Sequence, residues 1–308
     1  MSPRSAVMPV ALEARLASGT LQAAGLVVIS LCLLGRVCSG GETPWTVSLK
    51  SSEVSQGGVV ELKVSGKDMA WVKGILRNQE ISFFSVEEGS YAALLGVDLE
   101  EKPGPVGITI KGLTRAGGER EKPVTLRVKE RLFPRENISI PAAFDRIDEA
   151  TRKRIQREQA EMARVWTVFT PRRLWEGPFV APVPGEITSP FGLRRIINGS
   201  PRSPHGGVDL KAPLGAEVLA ANHGQVVLRE ELFFSGKSIV LDHGGGLYTM
   251  YFHLADFHLE KGSQVRKGHL IGWAGMTGRV TGPHLHWGVR LNGARVDPFG
   301  LLEAIGTK

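Results

Sequence analysis

The chain has 308 residues, of which 42% are hydrophobic, and its formal net charge is +7. This length allows two domains with short appendages, each large enough to bury a core. The positive balance favours adhesion to polyanionic surfaces. A basic stripe with interleaved aromatic residues is missing from the sequence, as is any known nucleic-acid-binding motif, which argues against a nucleic-acid-binding protein.

The first forty residues differ from the rest of the chain. Residues 21–34 are apolar and uncharged, and Arg4 and Arg15 precede them. This pattern predicts a secretory signal peptide over residues 1–39. An uncleaved N-terminal anchor is the alternative, although about fourteen apolar residues fall short of the roughly twenty that span a bilayer.

Both cysteines, Cys32 and Cys38, lie in this N-terminal segment. A lipidation site at Cys38 is a less favoured alternative, because Arg36 suits a lipidation signal poorly. A mature chain that starts near Gly40 contains no cysteine, which excludes disulfide bonds and thiol chemistry.

Residues 43–131 contain short runs typical of β-strands, separated by glycine, proline and charged residues. The runs lie at 45–49, 59–64, 80–84, 107–110 and 124–128. Apolar residues alternate in them without helical periodicity, which predicts a small antiparallel β-sandwich of the immunoglobulin-like type. This part of the sequence offers no candidate for chemistry.

Residues 141–176 form a predicted helical linker, because the apolar period changes there. The residues near one helical face are Phe144, Ile147, Thr151, Ile155, Met162 and Trp166. Their spacing predicts an amphipathic helix of five or six turns over about 144–166. We expect its apolar stripe to pack on one of the two domains, with Met162 and Trp166 as anchors.

Residues 180–302 return to a pattern of strands and turns. Strand-like runs lie at 217–220, 225–228, 238–241, 248–253, 270–273 and 284–290, with glycines between them. The connections are too short for crossover helices, so the sheet should be mostly antiparallel. The predicted fold class is mainly β: an N-terminal β-sandwich, a linker helix and a C-terminal antiparallel β-sheet domain.

All eight histidines lie in the last third of the chain, and two short motifs there contain candidate metal ligands. In His205-Gly-Gly-Val-Asp209 the two glycines disfavour a helix, and in an extended backbone the even spacing places both side chains on one face. His284 and His286 share a strand face for the same reason, and His253 ends another strand-like run. Two imidazoles and a carboxylate match a catalytic zinc site, and further imidazoles can move protons. A lone histidine on an apolar strand is usually structural, but this grouping favours a zinc hydrolase.

These motifs resemble those of the lysostaphin-type zinc endopeptidases, the family that includes LytM. The matching stretches lie at 191–194, 205–210, 241–254, 265–268, 271–278 and 281–287. The resemblance implies a compact antiparallel sheet with a groove and one Zn²⁺ per chain, held by His205, Asp209 and His286. It also implies that His253 and His284 are catalytic and that the substrate is peptidoglycan.

The resemblance favours a secreted zinc metalloendopeptidase that hydrolyses peptide stems or cross-links of peptidoglycan, with the periplasm as its location. The first alternative is a non-catalytic wall-binding regulator of a cell-wall amidase, against which the complete ligand set argues. The second alternative is an enzyme for secreted glycine-rich proteins, which shares the chemistry. The bond between D-alanine and diaminopimelate is a more favoured target than a glycine bridge, because no wall-targeting repeat is found. No nucleic-acid or stable protein partner is expected.

Arg194 is the one candidate for substrate binding outside the histidine motifs. It follows Phe191-Gly-Leu, and a guanidinium group presents several donors in a fixed fork. We expect Arg194 to lie near the groove and to hold either a substrate carbonyl or the loop before His205. A surface salt bridge is the alternative.

Overall fold

The computed structural model describes residues 44–77, 79–141 and 147–306. The predicted signal peptide, with Cys32 and Cys38, lies outside the described residues. Within the described ranges, no helix is both long enough and apolar enough to cross a membrane. The strands before residue 130 are β1 (Thr46–Leu49), β2 (Glu53–Ser55), β3 (Val59–Ser65), β4 (Met69–Leu76), β5 (Gln79–Ser82), β6 (Phe84–Glu87), β7 (Ser90–Gly96), β8 (Gly104–Thr114) and β9 (Glu119–Lys129).

These nine strands form two sheets around a shared core. One sheet has the order β1-β3-β7-β6 and the other β2-β9-β8-β4-β5. In β3, Val60, Leu62 and Val64 are buried while Lys63 is exposed, because successive side chains of a strand point to opposite faces. The buried valines and leucine pack with Ile110 of the second sheet. The two sheets form a sandwich, but β2 pairs parallel to β9, so the predicted all-antiparallel arrangement is wrong at this edge. The immunoglobulin-like type stays a prediction.

The helix between the two halves is α1 (Glu149–Val165). It begins after Asp148, whose side chain accepts a hydrogen bond from the backbone N–H of Thr151, and an aspartate in this position satisfies one of the free N–H groups of the first turn. The predicted start at Phe144 lies outside the described residues. The described helix has 17 residues, which at 3.6 residues per turn is fewer than five turns, so the predicted length of five or six turns is too long.

The second half consists mainly of one large sheet. Its elements and the short strands beside it are β10 (Arg135–Ile138), β11 (Ile187–Ser189), β12 (Arg194–Ile197), β13 (Ser200–Pro201), β14 (Gly207–Leu210), β15 (Glu217–Leu219), β16 (Gly224–Leu232), β17 (Gly236–Asp242), β18 (Leu247–Phe257), β19 (Gln264–Val265), β20 (Leu270–Ala274), β21 (Leu285–Leu291), β22 (Ala294–Val296) and α2 (Pro298–Ile305).

The large sheet has the central order β11-β14-β21-β18-β17-β16-β19. The pairings that join these strands are antiparallel, which confirms the prediction. Helix α2 was not predicted; Asp297 caps it and Pro298 occupies its first turn, where a proline loses no helical hydrogen bond. A separate small sheet pairs β10 in parallel with β12 and β12 with β13.

The two faces of the large sheet have different neighbours. In β21, the residues at 285, 287, 289 and 291 are buried in the main core, whereas His286 and Arg290 point to the opposite side. We call this opposite side the site face. On β18 it includes Tyr248 and Met250, which pack with Val165 of α1. Met162 and Trp166 pack against the same cluster, so the predicted anchoring of the helix is confirmed.

The sandwich and the large sheet share buried side chains. Leu99, which follows β7, is completely buried in the core of the large sheet together with Trp175, and Phe84 packs against that core. Asp98 accepts hydrogen bonds from the side chain of Arg295 in β22 at 2.7 and 3.0 Å. The predicted domain boundaries at 43–131 and 180–302 stay a prediction, but the two halves are in close contact.

Candidate metal centre and neighbouring histidines

The three predicted metal ligands lie together on the site face. His205 is in the loop before β14, Asp209 is within β14, and Asp209 is the cross-strand partner of His286 in β21. The Nε2 atom of His205 lies 3.0 Å from Oδ1 of Asp209 and 2.9 Å from Nδ1 of His286. Nδ1 of His286 is 2.9 Å from the same Oδ1. All three side chains are largely buried, so their donor atoms face one another rather than water.

Gly207 allows β14 and β21 to approach closely beside His286. A Cβ at this position would lie 2.4 Å from the carbonyl oxygen of Trp287 and 2.8 Å from Nε2 of His286, so a larger residue would force the strands apart. Phe252 stacks on the His286 ring at a centroid distance of 5.3 Å and an interplanar angle of 7°. Together these contacts fix the orientation in which Nδ1 faces Asp209.

A backbone carbonyl orients the ring of His205 by contacting the nitrogen that does not face Asp209. Its Nδ1 lies 3.0 Å from the carbonyl oxygen of Pro190; because a carbonyl only accepts, Nδ1 carries the proton and Nε2 keeps its lone pair. Ser189 Oγ is 3.4 Å from the same Nδ1. Arg195 donates to Ser189 Oγ at 3.0 Å and to a carboxylate oxygen of Glu136 at 3.1 Å. A polar chain therefore links Glu136 to the ligand loop.

The donor set fits a zinc ion. Two imidazole nitrogens and one carboxylate oxygen are ligands that catalytic zinc accepts, and three such donors around a tetrahedral ion lie roughly 3.3 Å apart. The three donor atoms are 2.9–3.0 Å apart, close to that separation, and together they could hold a metal ion. The bond from His205 to the Pro190 carbonyl is the kind that orients ligand histidines. Three protein donors leave a fourth position for water or substrate.

His253 and His284 stand beside this cluster. Their ring centroids are 4.9 Å apart, and Nε2 of His284 lies 3.8 Å from Oδ1 of Asp209. Nδ1 of His253 donates to the carbonyl of Thr277 and Nδ1 of His284 to the carbonyl of Gly282, each at 2.9 Å. Both rings therefore keep Nε2 as the atom free for proton transfer.

His253 reaches this position through an irregular backbone. The sequence predicted that a strand-like run ends at His253, but β18 continues to Phe257, and His253 has a φ of 63° inside it. Its N–H donates to the carbonyl of Ser235 at 2.8 Å, and the register of β18 shifts on either side. A non-glycine residue in this conformation is strained, and such strain is concentrated at functional sites.

Burial and hydrogen bonding set the charge of the cluster. Burial alone would raise the pKa of Asp209, but the close contacts with His205 and His286 outweigh it and hold this pKa well below its usual range. Burial lowers the pKa of His286, and it lowers the pKa of His253 to about 4. At neutral pH Asp209 is therefore a carboxylate, the form that binds metal.

The side chain of Arg194 forms no hydrogen bond or ion pair with the loop before His205 among the described residues. Its guanidinium lies over the ring of Phe133 at 5.9 Å, and its backbone N–H donates to the carbonyl of Pro134. The arginine that reaches Ser189 and the ligand loop is the next one, Arg195. Alternation along β12 explains the difference, because neighbouring strand residues point to opposite faces. A contact between Arg194 and substrate stays a prediction.

His243 is structural. It is fully buried, its Nδ1 donates to the carbonyl of His223 at 2.6 Å, and its Nε2 lies 2.7 Å from the hydroxyl of Thr249.

Sequence reasoning missed Phe252 and the carbonyl of Thr277, which orient His286 and His253. No sequence signal marks a backbone carbonyl as a histidine partner, because any residue type supplies one.

Comparisons with known proteins agree with this geometry. Residues 203–298 match peptidase family M23. The chain is 38% identical over 112 residues to the peptidoglycan DD-endopeptidase ShyA of Vibrio cholerae and 39% identical over 115 residues to the DD-carboxypeptidase/endopeptidase Mpg of Neisseria meningitidis. These alignments cover 36% and 37% of this chain and 26% of each relative, so the chain spans about a quarter of their length. A crystal structure of a candidate peptidase M23 from Pseudomonas aeruginosa matches with 31% identity and a TM-score of 0.63, over 81% of this chain and 95% of that one.

Proposed function

Because the chain belongs to peptidase family M23, we propose that it is a zinc-dependent endopeptidase that hydrolyses peptide stems or cross-links of peptidoglycan. The observation that carries this proposal is the convergence of His205, Asp209 and His286, with two further histidines whose Nε2 atoms are free beside them. A non-catalytic binding protein has no need for such a second pair of oriented imidazoles.

In the proposed reaction, His205, Asp209 and His286 hold the zinc ion through Nε2, a carboxylate oxygen and Nδ1. Bound zinc supplies Lewis-acid chemistry, since it polarises a carbonyl group and makes water acidic enough to lose a proton near neutral pH. Nε2 of one neighbouring histidine, His253 or His284, would accept a proton from the attacking water and deliver it to the leaving amine. Nε2 of the other ring, when protonated, donates to the carbonyl oxygen as negative charge develops on it.

The names of the relatives support a cross-link as the substrate. Two of them are a peptidoglycan DD-endopeptidase and a DD-carboxypeptidase/endopeptidase, so we propose that this chain cuts the D,D bond between D-alanine and the diaminopimelate side chain. Peptidoglycan lies outside the cytoplasm, and the predicted signal peptide at 1–39 would deliver the enzyme there.

Digestion of purified sacculi tests this function. The zinc-loaded protein is incubated with sacculi, and the released fragments are identified by mass spectrometry; we expect new peptide termini at the D,D cross-links. Asp209→Ala is the matched control, because it removes one metal ligand and should release none. Chelation of the metal should abolish the release, and added zinc should restore it.

Two results would overturn the proposal. Zinc-loaded protein that binds sacculi and exposes no new termini would support the alternative of a wall-binding regulator. Cleavage of glycine-rich protein substrates but not of sacculi would support the same chemistry on a different substrate.

A further inference from the structure

A second pocket lies on the site face, away from the metal centre. It has a volume of about 450 Å³ and is lined by Trp166, Phe169, Tyr248, Arg290 and Asn292. Arg290 and His286 are both on β21 and point to the same face. Four strand residues correspond to about 13 Å, and Met250, the cross-strand partner of Gly288, lies between the two places and packs with Val165 of α1.

The side chain of Arg290 has no anionic partner among the described residues. Its Nε is buried and unpaired, and it forms no hydrogen bond or ion pair with any residue in the described ranges. The guanidinium lies over the Trp166 ring at 4.8 Å. Burial lowers the pKa of Arg290, which reflects how costly the charge is where it stands. An arginine keeps its charge under all ordinary conditions, and a buried charge is normally paired.

The other residues that line the pocket do little to neutralise the positive charge of Arg290. Glu80 is the one carboxylate in the lining, and it pairs with Lys73 at 3.0 Å. Asn292 is largely buried, and its Oδ1 has no hydrogen-bond partner. The pocket therefore presents a guanidinium that has no anionic partner, which suits a ligand with a negative group.

We propose that this pocket binds a free carboxylate of the peptidoglycan stem peptide. This inference rests on the proposed function and adds a substrate subsite to it. Arginine binds a carboxylate through two parallel N–H···O bonds.

The aromatic walls favour a peptide over a sugar. A bound sugar ring needs an open aromatic face, but Arg290 covers one face of Trp166, and the Trp166 ring meets Tyr248 edge to face at 5.3 Å. The Tyr248 hydroxyl donates to the carbonyl of Val168 and is not free for a ligand. Phe169, 46% exposed, remains to cover an apolar part of the peptide.

Calorimetric binding of a stem tripeptide tests the inference. The tripeptide contains no D,D bond, so it is not a substrate for the proposed cleavage, and it is compared with the same tripeptide amidated at every carboxyl group. We expect the zinc-loaded full-length protein to bind the free acid at least about tenfold more tightly, the effect of losing a charged hydrogen bond. Arg290→Met should abolish this preference, and Arg290→Lys should retain part of it.

Arg229→Met is the matched control. Arg229 also stacks on an aromatic ring, that of Phe257 at 4.3 Å, and its Nε is likewise buried and unpaired, but it is not part of the pocket. We expect Arg229→Met to keep the full preference for the free acid. Thermal unfolding of each variant shows whether it is folded.

Three results would overturn the inference. One is a preference for the free acid that survives Arg290→Met, because the carboxylate would then bind elsewhere, for example at the metal. Another is equal binding of the acid and the amide by the wild-type protein, a comparison that needs no variant to fold. The third is binding of a neutral chitin oligosaccharide that Phe169→Ala abolishes, which would identify a sugar site. All of these are read without turnover, so they stay distinct from a failure of sacculus digestion.

Discussion

At the scale of single residues, His253 has an irregular backbone conformation that places its ring beside the metal centre. A positive φ of 63° inside β18 costs about 1–3 kcal/mol. The bonds from its backbone to Ser235 and from its ring to Thr277 hold it there. As a result, its ring lies 4.9 Å from that of His284, a pairing that regular strand alternation would not produce.

We expect His284→Ala and His286→Ala to separate catalysis from metal binding. His286→Ala removes a proposed ligand, so both zinc content and activity should be lost. His284→Ala removes a ring that moves a proton or stabilises the oxyanion, which contributes about 10² to 10⁴ in rate, and should keep zinc bound. His253→Ala should behave like His284→Ala. Zinc content by atomic emission, measured beside activity on sacculi, checks this.

The opposite pattern would reverse the assignment. Loss of zinc in His284→Ala together with full zinc in His286→Ala would make His284 the ligand and His286 the proton carrier. Equal zinc loss in both variants would mean that the two rings cannot be assigned separate roles.

We expect His243 to make stability depend on pH. Burial lowers its pKa from 6.5 to about 4, so between these values the unfolded state binds more protons, and stability falls as pH decreases from about 6.5 to about 4. The loss should be about 3 kcal/mol in all. Chemical unfolding at several pH values, compared with His243→Gln, isolates this contribution. An equal slope in both proteins over this range would contradict it.

At the scale of elements, α1 is attached to the site face by its last turn and by its middle. Val165, Met162 and Trp166 pack with Tyr248 and other residues of the sheet. Glu158 accepts a hydrogen bond from the backbone N–H of Phe233 at 2.8 Å, which ties the helix to the chain just after β16. The helix therefore covers the part of the site face that lies between Arg290 and His286.

Val165→Ala should lower the free energy of unfolding by about 2 kcal/mol, because it removes two buried methyl groups and leaves a cavity. Val165 is 8% exposed and Val168, three residues later, is 54% exposed. Val168→Ala is therefore the matched control and should change stability by less than about 0.5 kcal/mol. Urea unfolding followed by circular dichroism measures both. Equal effects of the two substitutions would show that the packing of α1 contributes little.

At the scale of the whole molecule, ion pairs and hydrogen bonds join the sandwich to the large sheet close to the metal centre. Asp98 accepts two side-chain hydrogen bonds and one backbone hydrogen bond from Arg295. Arg295 also bonds to Glu100 at 2.8 Å. The Cδ of Arg295 lies 3.7 Å from the position that a Cβ on Gly206 would take, and Gly206 follows the proposed ligand His205.

We expect a double-mutant cycle of Asp98→Ala and Arg295→Ala to give a coupling energy of at least about 1 kcal/mol, because the pair is partly buried and bonded twice. The side chains of this pair are 27% and 25% exposed. Lys111 and Glu121, at 42% and 61% exposed, are the matched control, and their coupling should be below about 0.5 kcal/mol. Coupling energies that are equal in the two cycles would contradict a special role for the first pair.

The sequence by itself indicated which two motifs contain the candidate metal ligands and on which kind of element they stand. His205 with Asp209, and His284 with His286, are separated by even numbers, and the two-residue period of an extended backbone places each pair on one face. The mainly β fold followed from the same alternation, and the amphipathic helix followed from its 3.6-residue period. These features are local, so a single stretch of chain contains the information.

Only the tertiary structure decided how these stretches meet. Contacts between distant residues produce the bulge that turns His253 towards His284. They also determine that Arg195, and not Arg194, lies behind His205. In the same way, they place Arg290 beside Trp166. The same is true of Leu99, a residue of the first half that is buried in the core of the second. Sequence periodicity gives the face on which a side chain lies, but its partner is set by the packing of separate elements against one another.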